Sequence, residues 1–263
     1  ALVVLAAPQA VAAAMPLLLA WLLAPRLAWW ISRRRIVVVS APTPDDIATL
    51  RLLARRTWHF FETFVNPENQ WLPPDNIQQA PKFLVAQRTS PSNIGFALLS
   101  TLSAYDFGYL ALNDLCARLG NTLNTLRRMP KYRGHYLNWI TTTDLRPLEP
   151  RYVSTVDSGN LAGCLIALNE GLQEIQTRTV PLPQLRLGMR DTIDAMQSLL
   201  KRARATGNCG DLTDLHNILD ELYEFTLDES PAWWLRLPEL EEGAHKHIEV
   251  EFLNVLEQTD AHW

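Results

Sequence analysis

Three aspartates, Asp75, Asp144 and Asp157, fall in polar, proline-broken stretches that also carry arginine, asparagine, serine and tryptophan. Arg88, Ser90 and Asn93 supply donors and acceptors where a helix begins. Trp139 offers a flat indole face beside Asn138, and Asp157, Ser158 and Asn160 sit where a loop enters a helix. Guanidinium, carboxamide, carboxylate and indole groups together suit a ligand with hydroxyls on its rim and apolar ring faces, because hydroxyls take paired polar partners and ring faces stack on aromatics. Each residue also has a structural role open to it. Ser90 and Asn93 read as a helix start, since SPSN precedes an apolar run. Arg88 can bridge to Asp75 or Glu62, Trp139 can pack in a core, and Asp157 can cap its helix.

Other chemistries find little support. The 263 residues carry a net charge of −4, with 48% hydrophobic and 20% charged residues. A basic excess for nucleic acid is missing, and so is a long acidic tail. Cys116, Cys164 and Cys209 are far apart with no CxxC pair, which points to reduced thiols, a cytosolic compartment and no zinc ribbon. His245 and His247 form HxH, which puts the rings on different sides of a helix, so no metal is expected. A glycine-rich phosphate loop and a serine nucleophile elbow are both absent.

The elements that must position these groups are helices. Residues 1–25 are uncharged, and as a helix they would span roughly 37 Å, enough for a hydrocarbon core about 30 Å thick. Arg26, Trp29, Trp30 and the triplet Arg33, Arg34 and Arg35 follow, as at a membrane exit. Residues 1–31 are therefore read as a transmembrane segment contacting the lipid bilayer, although Pro8 and Pro16 interrupt it. The arginines place residues after 35 in the cytoplasm. A start on Ala1 instead of Met reads as a fragment. Residues 32–46 read as a juxtamembrane linker, with Asp45 expected to cap the next helix.

Beyond it, apolar residues recur at helical spacing: Ile47, Leu50, Ala54, Trp58, Phe61 and Phe64; Leu112 to Met129; Leu161 to Ile175; Ile193, Met196 and Leu200; Leu212 to Leu222; and, less regularly, Ile248, Phe252 and Leu256. Strand structure should be minor. Two long polar segments, 66–93 and 130–160, contain tryptophan, tyrosine and phenylalanine, which disordered linkers lack. They are expected to be ordered walls of a binding site at one end of a helical array. Trp58, Phe60, Phe61 and Phe64 are expected in the core, and Trp233 and Trp234 in helix packing.

Several motifs carry a family resemblance. TWHFFETFV (57–65), WLPPDNIQQAP (71–81), RTSPSNIG (88–95), GHYLNW (134–139) and LRPLEPRYVSTVDSGNLAG (145–163) resemble the central region of cyclic β-1,2-glucan synthases, which is related to glycoamylase-like domains and β-1,2-glucanases. The resemblance covers about residues 22–175, and residues 176–263 read only as amphipathic helices. It implies an all-α fold, an N-terminal transmembrane helix followed by part of an (α/α)6-type helical barrel, with residues 47–263 its N-terminal part. It implies a bacterial inner-membrane protein that shares its chain with other synthase domains. An upstream domain would use UDP-glucose, this region would need no cofactor, and linear and cyclic β-1,2-glucan would be its ligands. Nucleic acid is not expected as a partner.

The implied reaction is ring closure by transglycosylation, which needs a carboxylate nucleophile and a second carboxyl about 5 Å away. Asp157 and Asp144 are the candidates here, with Asp75 an outside choice and at least one partner expected beyond Trp263. Arg88, Ser90, Asn93, Asn138, Trp139, Asn160 and Asp75 are the expected substrate-binding set. The family often reads NWYDT where this chain has Asn138, Trp139, Ile140, Thr141 and Thr142, so an aspartate is replaced by Thr141. Relatives also tend to carry a glutamate near Gln79 and a histidine at Gln87. Two other readings compete: a glucan-guiding scaffold without chemistry, and a membrane-attached helical interaction protein unrelated to sugar.

Overall fold

The computed structural model describes residues 11–33, 41–179, 182–206, 213–230 and 232–237. The chain divides into two compact units, Ala1–Thr43 and Pro44–Trp263. In the first, helix α1 (Val11–Ile31) runs through Pro16 and Pro25. Its stretch Ala12–Ile31 is long and apolar enough to cross a membrane, with mean hydropathy 1.4. The Arg33 guanidinium lies 3.9 Å from the Trp29 ring centroid, pairing cation and indole at the helix end. Pro8, Arg34 and Arg35 fall outside the described residues, as do Leu212 and the expected features at His245, His247, Ile248, Phe252 and Leu256.

The second unit opens with α2 (Pro44–Phe64). Pro44 suits the first turn because its missing N–H has no helical partner there, and Asp45 and Asp46 face the positive helix end. Asp45 thus lies inside the first turn, not at the cap. The apolar stripe predicted for α2 is buried only in its second half: Ile47 and Leu50 are exposed, whereas Trp58 is buried against Ala104 and Leu110. Phe60, Phe61 and Phe64 are half-buried.

Helices α3 (Pro91–Phe107), α4 (Leu112–Arg128) and α5 (Thr155–Thr177) form the main core. Ile94 and Leu98 meet Leu115, Leu119 and Leu126 on one side and Leu161 and Leu168 on the other. Each such side chain is worth about 1.5–3 kcal/mol when removed from water. Close approach of α3 and α5 depends on Gly95, where an added Cβ would stand 2.9 Å from Cys164 Sγ. The two helices run parallel. Asn160 meets Ser92 near their starts, Gly171 meets Leu102 midway, and Arg178 meets Asp106 at the far end. Helices α6 (Leu182–Thr206) and α7 (Thr213–Phe225) pack through Ile193, Leu200, Leu215 and Leu219, as their spacing predicts. Trp233 is buried edge-on against Phe225, while Trp234 remains exposed.

The two long polar segments are ordered, and they add short strands to a helical chain. β1 (Ile77–Gln78) pairs with β2 (Leu84–Val85). β4 (Lys131–Tyr132) and β5 (His135–Tyr136) form a hairpin turning on Arg133 and Gly134, both with positive φ, as a two-residue hairpin turn requires. The remaining sheet has the order β3 (Arg88–Thr89), β6 (Asn138–Thr141), β7 (Pro147–Tyr152), all antiparallel. This sheet joins the two segments, because β3 comes from the first and β6 from the second. Threonines on α4 fix the first segment from below. Thr125 Oγ1 donates to Gln70 O at 2.7 Å and Thr122 Oγ1 to Trp71 O at 3.0 Å. These bonds hold a turn in which Gln70 and Trp71 both adopt left-handed backbone, unfavourable for side chains. Thr142 Oγ1 donates to Asn69 Oδ1 at 2.8 Å, a buried tie between the segments.

Candidate functional site

Pairing of Arg88 with Thr141 and Thr89 with Ile140 brings the start of α3 under the β6 strand. Seven of the nine residues expected at the site gather there, five of them joined by direct contacts. Asp75 Oδ2 accepts from Arg88 Nη2 at 3.1 Å and Nε at 3.3 Å. The Arg88 guanidinium in turn lies over the Trp139 ring, 5.0 Å from its centroid. Asp75 Oδ1 accepts from Asn93 Nδ2 at 3.3 Å, and the Asn93 backbone N–H donates to Ser90 Oγ at 3.3 Å. Of the two bridges open to Arg88, the one to Asp75 forms; Glu62 instead pairs with Arg55 and His59.

The network continues to Asp157. Two helix starts lie side by side here, because α3 and α5 are parallel and each begins at a serine. The α5 cap is Ser154, whose Oγ accepts from the Asp157 backbone N–H at 3.1 Å. Asp157 therefore stands within the first turn, and the capping role weighed for it belongs to Ser154. Burial works to raise the Asp157 carboxyl. Donation from the Ser154, Ser92 and Ser90 hydroxyls and the Ser92 backbone amide outweighs it and holds the group below the usual carboxylate range. Two positive helix ends act in the same direction. Ser92 Oγ also accepts from Asn160 Nδ2 at 2.9 Å, which links Asn160 into the set.

This geometry sets what Asp157 can do. An ionised carboxylate offers about four lone-pair sites, and the neighbouring serine hydroxyls and the Ser92 amide favour that form. It is therefore a poor proton donor. Ser92 and Ser154 were not singled out from the sequence. The signal that finds Ser154 is the pattern Ser154-Thr155-Val156-Asp157, a serine followed three residues on by an acid before an apolar run.

Two predicted residues stand apart. Asn138 is buried at 2% exposure with Oδ1 lacking a hydrogen-bond partner, and it shares the β6 strand with Trp139 without joining the network. Asp144 is at the turn between β6 and β7. Its partners, Thr141, Arg146 and the Arg146 amide, all belong to that turn. The Thr141 hydroxyl has the largest effect and lowers its carboxyl; burial opposes it, and the Arg146 amide and guanidinium add to the lowering. Asp144 and Asp157 thus lie in separate hydrogen-bonded sets, and nothing pairs them. Among the described residues, no three His, Cys, Asp or Glu side chains converge as a metal site would need.

Outward from the network face the Arg88 guanidinium, with its side chain 48% exposed, and the half-buried Trp139 indole. Over 167 residues the chain is 47% identical to the cyclic beta-(1,2)-glucan synthase NdvB of Rhizobium meliloti (strain 1021), a match covering 61% of this chain. The chain is similar to a segment of that synthase. It spans only 6% of the synthase's length. No family model matches. Among solved structures, a putative glucoamylase from Bacteroides fragilis NCTC 9343 aligns with TM-score 0.43 and 17% identity, over 59% of this chain and 37% of that one. A likeness that slight carries no argument about the site.

Proposed function

We propose that the second unit is part of the glucan-handling region of a membrane-bound cyclic β-1,2-glucan synthase, where it binds linear β-1,2-glucan and contributes to its cyclisation by transglycosylation. The observation that carries this reading is the Asp75–Arg88–Trp139 stack. Its arginine is held in one orientation by a carboxylate on one side and an indole on the other, and its remaining N–H groups are left for a ligand. A fixed guanidinium edge suits adjacent sugar hydroxyls, and an indole suits a pyranose face. The 47% identity to a cyclic β-(1,2)-glucan synthase supports glucose polymer as the ligand.

On this reading the helices of the second unit form part of an (α/α)6-type barrel, and Asp157 takes part in the reaction as an ionised carboxylate, not as a proton donor. The serine hydroxyls around Asp157, which lower its carboxyl, favour a second reading beside the first: a segment that grips and guides the chain while carboxylates elsewhere in the synthase do the chemistry. Helix α1 anchors the protein in the bacterial inner membrane, with residues after 35 in the cytoplasm, and UDP-glucose serves another domain. Binding of linear β-1,2-glucan, measured by affinity electrophoresis on the intact synthase, tests the proposal. Arg88→Ala and Trp139→Ala are each expected to weaken retention, and unchanged retention in both overturns the assignment. Asp157→Asn then separates the two readings: cyclisation that persists with weaker glucan binding makes Asp157 a positioning residue.

A further inference from the structure

Helices α2 and α6 enclose a space that the glucan reading leaves unused. A cavity of about 460 Å³ lies between them. Phe60 and Phe64 from α2 and Met196 and Leu199 from α6 line it, with Ile77 of β1 contributing a further apolar surface. Protein interiors ordinarily fill such volume, and cavities of this size are in the range that holds small ligands.

The charged groups in its lining are unbalanced. Arg55 Nη2 donates to Glu62 Oε2 at 3.0 Å, and His59 Nδ1 lies 3.3 Å from the same oxygen. Burial opposes the Glu62 charge, but His59 and Arg55 keep its carboxyl below the ordinary range. Arg56 Nη2 donates only to the neutral Ser198 Oγ, at 2.7 Å. Among the described residues, neither Arg56 nor Arg202 pairs with a carboxylate. Among the described residues of the lining, three guanidiniums against one carboxylate leave two positive charges beside apolar walls.

That combination selects a ligand chemistry. A polyol could meet the guanidiniums, but its remaining hydroxyls would lie against Phe60, Phe64, Met196 and Leu199, which is costly for each. The Thr192 hydroxyl is already used, accepting from Arg55 Nε at 2.9 Å and donating to Gly188 O at 2.9 Å. Among the described residues, Gln79 is then the one uncharged amide or hydroxyl side chain left in the lining. We propose that the cavity between α2 and α6 binds an amphipathic anion, with an acyl chain against Phe60, Phe64, Met196 and Leu199 and a phosphate or carboxylate headgroup between Arg56 and Arg202. A free amphiphile and an anionic bilayer phospholipid share this chemistry.

The test uses the full chain in phosphatidylcholine nanodiscs and a dodecyl phosphate carrying a diazirine near the chain end. Photolabelling is expected in the peptides around Phe60 to Phe64 and Ala195 to Leu199, and unlabelled dodecyl phosphate should abolish it. Neutral dodecyl glucoside should compete at least about tenfold less well. Arg56→Gln with Arg202→Gln should weaken competition by dodecyl phosphate about tenfold, while Ala195→Trp should fill the space and remove the label. Melting curves establish that each variant is folded, and should Ala195→Trp unfold the chain, the arginine pair decides alone. A diazirine phosphatidylglycerol placed in the disc separates the sources. Its labelling of the same peptides assigns a bilayer lipid, and labelling by dodecyl phosphate alone assigns a free amphiphile. Unsaturable labelling, equal competition by dodecyl glucoside, or displacement by linear β-1,2-glucan overturns the proposal.

Discussion

The second unit contains two assemblies of the same residue types with opposite accessibility. In one, Arg51 binds Asp191 through two nitrogens, Nε to Oδ1 at 2.9 Å and Nη2 to Oδ2 at 2.7 Å. Tyr109 donates to Asp191 Oδ2 at 2.9 Å and stacks on Phe107, over which Arg51 also lies. In the other, Arg88 binds Asp75 and lies over Trp139. The Asp191 side chain is 6% exposed and Arg51 23%, against 17% for Asp75 and 48% for Arg88. Burial first, and then the Asp191 charge, raise the Tyr109 phenol, so it stays a neutral donor across the working pH range. An aspartate, an arginine and an aromatic thus make a clamp between α2 and α6 when every group turns inward. They make the proposed binding edge when the arginine keeps nitrogens free. Composition does not separate the two cases; the backbone that carries them does.

The sharpest way to break this comparison is to disable each assembly in turn. Asp191→Ala leaves Arg51 and the Tyr109 hydroxyl without their partner in a buried setting, and it is expected to cost about 3–5 kcal/mol in urea unfolding. Glucan retention by the molecules that remain folded should not change. Trp139→Ala should do the reverse. Loss of a half-exposed cation–π contact costs only about 0.5–1 kcal/mol of stability, whereas glucan affinity in affinity electrophoresis should fall about tenfold. A Trp139→Ala protein that unfolds as readily as Asp191→Ala would mean that the indole is core, and the binding edge would be lost.

A finer contrast concerns the twin helix starts. Ser154→Ala removes the α5 cap and one donor to Asp157, and about 1 kcal/mol of stability should go with it. The pH dependence has a definite sign. Asp157 has a folded-state pKa below its unfolded value, so its contribution is present above the unfolded value, near pH 4, and is lost as pH falls through the lower folded value. Asp157→Asn should therefore flatten the acid limb of a melting-temperature profile below about pH 4 while leaving its neutral part parallel to wild type. An unchanged acid limb would show that the serines do not hold the charge.

How much of this was legible in the sequence varies by element. Ile193, Leu200, Leu215 and Leu219 recur at helical spacing and pack as that spacing requires. Ser90 announces its cap because Pro91 and an apolar run follow it. The sheet was hidden, since β3 is two residues long and β7 contains Pro147 and Pro150, so no alternating pattern can show. Its register is set at a distance, by Thr142 reaching Asn69 and by α4 threonines holding the Gln70 and Trp71 carbonyls. That is why Arg88 and Trp139, 51 positions apart in sequence, could be expected at one site while their stacking could not be read. Asp157 was visible as a carboxylate at a helix entry. Its surroundings were not, because Ser90 and Ser92 come from the neighbouring helix.

The smallest expected effect discriminates between the carboxylates. Asp144 has the residue type that ring closure calls for, yet its partners are confined to its own turn, and its charge is answered by Arg146 at the surface. Asp144→Asn keeps the side-chain shape and one acceptor for the Thr141 hydroxyl and Arg146 amide, so folding should be unaffected. If the separation of the two sets in the folded chain is decisive, the proposed cyclisation by the whole protein should continue at the wild-type rate, and glucan retention should stay within about twofold. A loss of turnover with glucan binding intact would give Asp144 a part in the reaction that its turn contacts do not reveal. It would require the ligand, not the hydrogen-bond network, to bring the β6–β7 turn to the site.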